Sequence, residues 1–352
     1  MEIGRSLERG RIEWSETNDE TEWDDFVARN GGSFFHLWGW RKVLEESGNK
    51  ATYFVCRDAG GNPVAICPFF NLPGKSFHHL DSLPDSRTAG PLLSGQADAS
   101  AIIGALPKSV KFSLLNPVVV MKIKTHLEQA IKPMQALGYP YDASRGLYIL
   151  DLNEGTLNDV WNDGFKKHDR QAVKYYEQRS TFGFTRKYDD FLGLSKPTQK
   201  YQFEFIDPMR VSFIEKMKAV LGDFLEVALV TGPDGDALAG FFMLLDPPGS
   251  PTRGVHLLTI RHAAPRNMHS VVTFVNWKAT SWAHQNGYSY VDFGSYPIDK
   301  SSDPMHPWGA LKMKFKIRVV PRFKFTIPTS SVPYSIARRI NKAMRLVTGA
   351  ED

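Results

Sequence analysis

Apolar positions along the chain follow two periods. Phe54-Val-Cys-Arg and Val64-Ala-Ile flank a polar turn ending in Gly61-Asn62, a pattern that predicts a β-hairpin because the turn needs residues that accept positive φ. The pattern returns in the second half, where Ala228–Thr231 and Ala237–Leu245 flank Gly235-Asp236. Helical spacing marks Thr21–Arg29 and Leu37–Glu46 before the first hairpin, and Met209–Leu221 before the second, with Pro208 near its start and Gly222 at its end. Beyond each hairpin a further helix is predicted, at His126–Leu137 and at Phe274–Gln285. Each ends on a glycine followed by an aromatic strand, Gly138-Tyr-Pro-Tyr-Asp142 and Gly287-Tyr-Ser-Tyr-Val-Asp292. The order helix, hairpin, strand, helix, strand thus occurs twice and predicts two copies of one α/β unit. Asp163–Gln178, between the copies, is expected to be helical. Pro247–Pro251 and Ser295–Pro307 are expected to be loops.

Composition narrows the class. A chain of 352 residues has room for two domains, and 42% hydrophobic content excludes a mainly disordered one. Its longest apolar run, Ala237–Leu245, falls far short of the ~20 residues that cross a bilayer, and Met1–Trp14 has no apolar signal segment. Cys56 and Cys67 are the only cysteines, too few for a disulfide framework. His78, His79 and His168 lack companions at ligand spacing, so no metal is expected. His36, Trp38 and Trp40 read as core residues near a helix start. These features predict a cytoplasmic monomer.

Charge is unevenly spread. The net value is +5, yet Met305–Asp352 alone holds ten Lys/Arg against two acids. That asymmetry predicts a polyanionic partner. Val332–Thr348 has the spacing of a basic amphipathic helix suited to peripheral contact with an anionic membrane, on its inner face.

Several short segments, in order, resemble the FemAB-like branch of the GNAT superfamily. Ser33-Phe-Phe-His36 with Trp40 resembles the opening helix of that family, and Ser82-Leu-Pro84 through Gly90-Pro-Leu92 its Gly-Pro-Leu segment. Lys166–Lys174 resembles its basic helix, Pro265-Arg-Asn267 the lead into its long helix, Asp292-Phe-Gly294 its strand end, and Leu311–Lys316 its Phe-Lys-x-Lys-Phe-Gly motif. Lys316 stands where that motif has glycine, and Leu311 where it has phenylalanine. Asp-Phe-Gly also occurs in kinases, but no Gly-rich loop or His-Arg-Asp set accompanies it here. The resemblance implies an α/β (α+β) fold of two tandem GNAT-like domains, each a mixed, mostly antiparallel sheet flanked by helices. The expected limits are 1–152 and 153–327, with a C-terminal basic helix over 328–352.

The implied activity is acyl or aminoacyl transfer to an amine of a cell-envelope or polysaccharide precursor. The glycine-rich acyl-CoA loop of ordinary GNAT enzymes is missing, since Arg261–Ser270 contains no glycine. Its amides would cradle a pyrophosphate. The expected donor is therefore aminoacyl-tRNA or another activated acyl group rather than acyl-CoA, with no tightly bound cofactor. The expected acceptor is an anionic small molecule or a lipid-linked precursor. Acyl transfer needs charge stabilisation around a tetrahedral oxyanion but no covalent nucleophile. Lys312 is the candidate for that role, by its match to the family lysine, and Asp292 the candidate to orient or deprotonate the amine. Lys166, Lys167, Arg170 and Lys174 include i,i+4 pairs on one helix face and are candidates to hold an anion. Tyr296 and Asn267 complete the candidate substrate-binding set. The competing expectation is a degenerate, non-catalytic pair of GNAT units that binds nucleic acid or a membrane surface.

Overall fold

The computed structural model describes residues 12–45, 50–73, 77–83, 87–95, 98–110, 118–194, 211–263 and 268–329. The first half runs β1 (Glu13–Glu16), α1 (Glu20–Arg29), α2 (Trp38–Glu45), β2 (Ala51–Arg57), β3 (Pro63–Pro73), β4 (His78–Asp81), β5 (Leu92–Leu93), α3 (Ala99–Ser109), β6 (Val118–Thr125), α4 (Glu128–Ala136) and β7 (Tyr141–Asp151). Next come α5 (Thr156–Asp159), continued by a π-helical turn at Val160–Gly164, then α6 (Lys167–Glu177), β8 (Thr181–Phe184), α7 (Tyr188–Leu192) and α8 (Val211–Leu221). The chain closes with β9 (Leu225–Thr231), β10 (Ala237–Leu245), β11 (Gly254–His262), α9 (Met268–Gln285), β12 (Tyr290–Pro297), α10 (Pro307–Phe315) and β13 (Arg318–Pro328).

These elements form two compact units. Unit 1 holds residues 1–30, 48–142 and 323–352; unit 2 holds 31–47 and 143–322. Residue 152, the expected boundary, falls within unit 2, which takes up the chain again at residue 143 and holds most of β7. Two short segments also change sides relative to a simple tandem division. The α2 segment joins unit 2, and the end of β13 joins unit 1. The proposed C-terminal helix lies outside the described residues.

Both units build the same sheet. In unit 1 the strand order is β1-β2-β3-β4-β6-β13, and in unit 2 it is β8-β9-β10-β11-β12-β7. Only the fourth pairing is parallel in each, β4 with β6 and β11 with β12, and all the others are antiparallel. The repeated hairpins of the sequence are β2–β3 and β9–β10, whose turn glycines Gly61 and Gly235 have φ +83° and +84°. One loop expectation needs correction, since Ser295, Tyr296 and Pro297 extend β12 and pair with β7.

Each sheet is apolar on the face its later helices cover. In unit 1, Cys67, Phe69, Leu80, Met121, Ile123 and Phe325 pack with Ile102, Ile103 and Met134 of α3 and α4. In unit 2, Phe241, Met243, Val255, Val291 and Phe293 pack with Phe274, Val275 and Ala279 of α9. No helix among the described residues is long and apolar enough to cross a membrane.

Candidate functional site

Parallel strands that separate leave main-chain groups facing each other across a gap. In unit 2, β11 and β12 register through three pairs, ending at His256 and Asp292. β12 then bulges between Asp292 and Ser295, at Gly294, whose φ of +128° requires glycine. A Cβ there would also fall 2.7 Å from the Tyr296 hydroxyl. In unit 1 the corresponding pairing of β4 with β6 ends at Asp81 and Lys122. There β4 itself ends, and Ser82 continues the contact with β6 through the Lys122 carbonyl and the Lys124 amide, both at 2.8 Å.

At the unit 2 position the pair is buried within a polar network. His256 Nε2 contacts Asp246 Oδ1 at 2.8 Å, and Nδ1 contacts Asp292 Oδ2 at 3.1 Å. Asp246 also accepts from the Phe34 amide at 2.6 Å, the Gly254 amide at 2.8 Å and the Tyr290 hydroxyl at 2.7 Å. Asp292 Oδ1 accepts from the Gly294 amide at 2.8 Å. Phe35 meets the imidazole edge-on, at 5.1 Å between ring centres. Burial alone would push the His256 pKa down. The charge and hydrogen bond of Asp246, joined by Asp292, overcome it and push the pKa up to about 9. With carboxylates on both nitrogens, the ring is an imidazolium that donates twice. It has no lone pair with which to take a proton from an amine, so its work is to fix β11, β12 and the Phe34 turn.

Asp292, the candidate base, belongs to this network and is 1% exposed. Tyr296 is also buried. Its hydroxyl donates to the Phe293 carbonyl at 2.8 Å, and its ring stands edge-on to Tyr148. Asn267 lies outside the described residues, as do residues 264–266 of the segment where an acyl-CoA loop would sit. Arg261, at the head of that segment, is buried and donates to the carbonyls of Leu192 and Leu194.

The basic helix divides into two kinds of residue. Lys166, Lys167 and Lys174 are exposed. Arg170 instead turns inward and donates to the carbonyls of Trp161 and Phe165, so it secures the end of the π-helical turn. Lys166 is the N-cap of α6, and its amide donates to Asp169 Oδ2 at 3.0 Å. Asp169, 4% exposed, receives the Lys314 ammonium at 2.6 Å, and Lys314 also donates to Thr273 of α9 at 2.9 Å. One lysine therefore ties α10, α6 and α9 together. Gly164 permits this approach, since a Cβ there would fall 2.2 Å from the Lys314 carbonyl oxygen.

Lys312 sits two residues earlier, about 160° around the helix from Lys314 at ~100° per residue. It shares a side with Phe315, one turn on, which packs against Phe293 of β12 at 5.4 Å. Lys312 is half-buried, with no side-chain hydrogen bond or ion pair among the described residues. Contact with the basic helix is thus made by Lys314. The helix ends in a Schellman motif, with the Ile317 amide on the Lys312 carbonyl at 2.9 Å and the Lys316 amide on the Met313 carbonyl at 3.4 Å. Lys316 occupies its left-handed position at φ +52°, which explains why glycine suits this place in the motif.

Sequence reasoning missed Asp246, His256, Tyr290, Lys314 and Asp169. A signal existed for two of them. Asp246 directly follows nine strand residues, seven of them buried, and His256 interrupts another apolar run, so each is a polar group in buried surroundings that must be paired.

The duplicated sheet, with one parallel pairing in each copy, is a fold shared with solved structures of FemX and of a tandem GNAT protein. No family model and no curated sequence matches the chain. Among solved structures it is similar to FemX, at 13% identity and TM-score 0.65 over 89% of this chain and 96% of that one. It is also similar to the C-terminal domain of a putative lysylphosphatidylglycerol synthetase from Agrobacterium fabrum, at 15% identity and TM-score 0.52 over 92% and 95%. A tandem GNAT protein from the clavulanic acid biosynthesis pathway matches at 12% identity and TM-score 0.54 over 91% and 99%.

Proposed function

We propose that this protein transfers an acyl or aminoacyl group to an amine of a cell-envelope or polysaccharide precursor. The observation that supports the reading is the end of the β11–β12 ladder at His256 and Asp292, together with Lys312 of α10, half-buried and without a hydrogen bond or ion pair among the described residues. An extended acyl or peptide-like arm can complete the ladder that the strands abandon. An amine attacking its carbonyl forms a C–N bond and an oxyanion, and an adjacent ammonium lowers that barrier. The carbonyl–leaving-group bond then breaks, and the amine proton departs with the leaving group. The name of one similar protein, a lysylphosphatidylglycerol synthetase, describes a lysyl group joined to a phospholipid, which favours an aminoacyl donor and an envelope acceptor.

The donor we favour is aminoacyl-tRNA or another activated acyl group, with acyl-CoA disfavoured by the missing glycines of 261–270. Calorimetry with acetyl-CoA should give binding no tighter than about millimolar. The deciding assay supplies charged tRNA or acetyl-CoA with nucleotide-linked and lipid-linked amines, and follows the product by mass spectrometry. Transfer from charged tRNA that falls in Lys312→Ala supports the reading. No transfer from any donor, with salt-dependent binding to generic DNA, would support the non-catalytic alternative instead.

A further inference from the structure

Two asparagines of this chain precede glycine, Asn30 before Gly31 and Asn286 before Gly287. That dipeptide has a chemistry of its own. The glycine nitrogen can attack the asparagine side-chain carbonyl carbon, because no Cβ shields it and its main chain turns freely. A C–N bond forms and closes a five-membered imide. The Cγ–Nδ2 bond breaks, and ammonia leaves with the proton that the glycine nitrogen gives up. Water then opens the imide at either carbonyl, leaving aspartate or its β-linked isomer.

The two sites share much of their geometry. Asn30 directly follows α1, and Asn286 directly follows α9. Each main-chain amide donates to the carbonyl four residues back, Phe26 at 3.1 Å and Trp282 at 3.0 Å. Each side-chain Nδ2 donates to that same carbonyl, at 2.9 and 2.8 Å. Both glycines are left-handed, at φ +70° and +71°. The difference lies at the attacking nitrogen. The Gly287 amide donates to the His284 carbonyl at 3.2 Å, and the Tyr288 amide to the Ala283 carbonyl at 3.0 Å, a closed C-cap. Tyr288 is buried, with the Arg253 guanidinium 4.5 Å from its ring centre. The Gly287 nitrogen is therefore released only when this cap opens. At α1 the cap is not closed. The Gly31 amide has no hydrogen bond among the described residues, and a second glycine, Gly32, follows it in place of an anchored side chain.

We propose that Asn30-Gly31 is a site of spontaneous deamidation in the folded protein, and that the native cap of α9 protects Asn286-Gly287. The product at residue 30 is a carboxylate. It has no N–H to give the Phe26 carbonyl, and it stands at the negative end of α1. Its β-linked form also lengthens the main chain by one atom, four residues before the Phe34 amide that donates to Asp246 at 2.6 Å. The reaction needs only water and does not depend on the transfer reading.

Incubation of the full chain at mildly alkaline pH, then peptic digestion in acid and mass spectrometry, tests the site. We expect the peptide bearing Asn30 to gain about 1 Da and to separate into two isomers on chromatography. Conversion at Asn286 should be slower by about tenfold or more, since it waits on local opening. In urea, where both helix ends are lost, the two sites should convert at similar rates. Asn30→Gln should abolish the gain at residue 30, because the longer side chain does not close a five-membered ring. Equal conversion at the two sites in the native chain overturns the proposal, as does an unchanged Asn30 or a gain that persists in Asn30→Gln. An Asn286 that stays intact in urea would assign the difference to sequence rather than to the cap, and overturns it as well.

Discussion

His256 Nε2 lies 2.8 Å from Asp246 Oδ1, and both side chains are almost wholly buried. The contact joins β11 to the loop after β10, and through the Phe34 amide it also fastens the turn before α2. Removing the imidazolium leaves two buried carboxylates facing a void. His256→Gln should therefore cost about 3–5 kcal/mol, the usual penalty for breaking a buried ion pair. Urea titration at neutral pH measures it, and a loss under 1 kcal/mol would mean water replaces the ring.

The same residue sets an alkaline limit. Its pKa rises from an ordinary 6.5 to about 9 on folding. Its stabilisation is complete below about pH 6.5 and is lost as pH rises through about 9. His79 acts in the opposite sense. With a folded pKa near 4, its contribution is present above 6.5 and is lost as pH falls toward 4. Stability should accordingly decline on both sides of neutrality, and the alkaline decline should flatten in His256→Gln. A parallel decline in wild type and variant would assign it to other groups.

Lys312 and Lys314 should separate cleanly by assay. Lys314→Ala strips the partner from buried Asp169 and should cost about 3 kcal/mol of stability. Lys312→Ala should leave the melting temperature unchanged and lower turnover roughly 10- to 150-fold, the worth of one charge-assisted contact at about 1.5–3 kcal/mol. Equal melting losses in the two variants would make Lys312 a structural residue.

Lys316→Gly should stabilise the protein by about 1 kcal/mol. A side chain at φ +52° bears the steric cost of the left-handed region. Its exposed ion pair with Asp163, at 2.9 Å, returns little. Thermal unfolding checks this, and a lower melting temperature would show that the Asp163 contact outweighs the strain.

The elements legible in the sequence were those with a local cause. Periodicity marked α1, α2 and α9 to within a few residues, except that α9 begins earlier, and Gly61 and Gly235 marked both hairpin turns. The aromatic strand after each long helix was visible too, but not its destination. Nothing local in Tyr141–Asp151 says that most of this strand pairs with β12 rather than completing unit 1. The site was legible in part for the same reason. The resemblance singled out Lys312 and the basic helix as candidates, whereas the inward turn of Arg170 depends on carbonyls that only the π-helical turn exposes.

A fragment of residues 1–152 should therefore fail to fold cooperatively. It lacks Phe323–Pro328, which pair with β6, and its 31–47 segment has lost the unit in which that segment packs. Calorimetry of the fragment should show no sharp transition. A cooperative one would mean that the sixth strand is dispensable.

The late arrival of that strand also has a meaning for synthesis. β6 is complete at Thr125, but its antiparallel neighbour begins pairing only at Phe323, about two hundred residues later. At ~5–20 residues per second, the ribosome leaves this strand edge open for roughly 10–40 s. Unpaired edges invite strands from other nascent chains, and Lys122 and Lys124 would repel such visitors until the chain delivers its own strand from near its end.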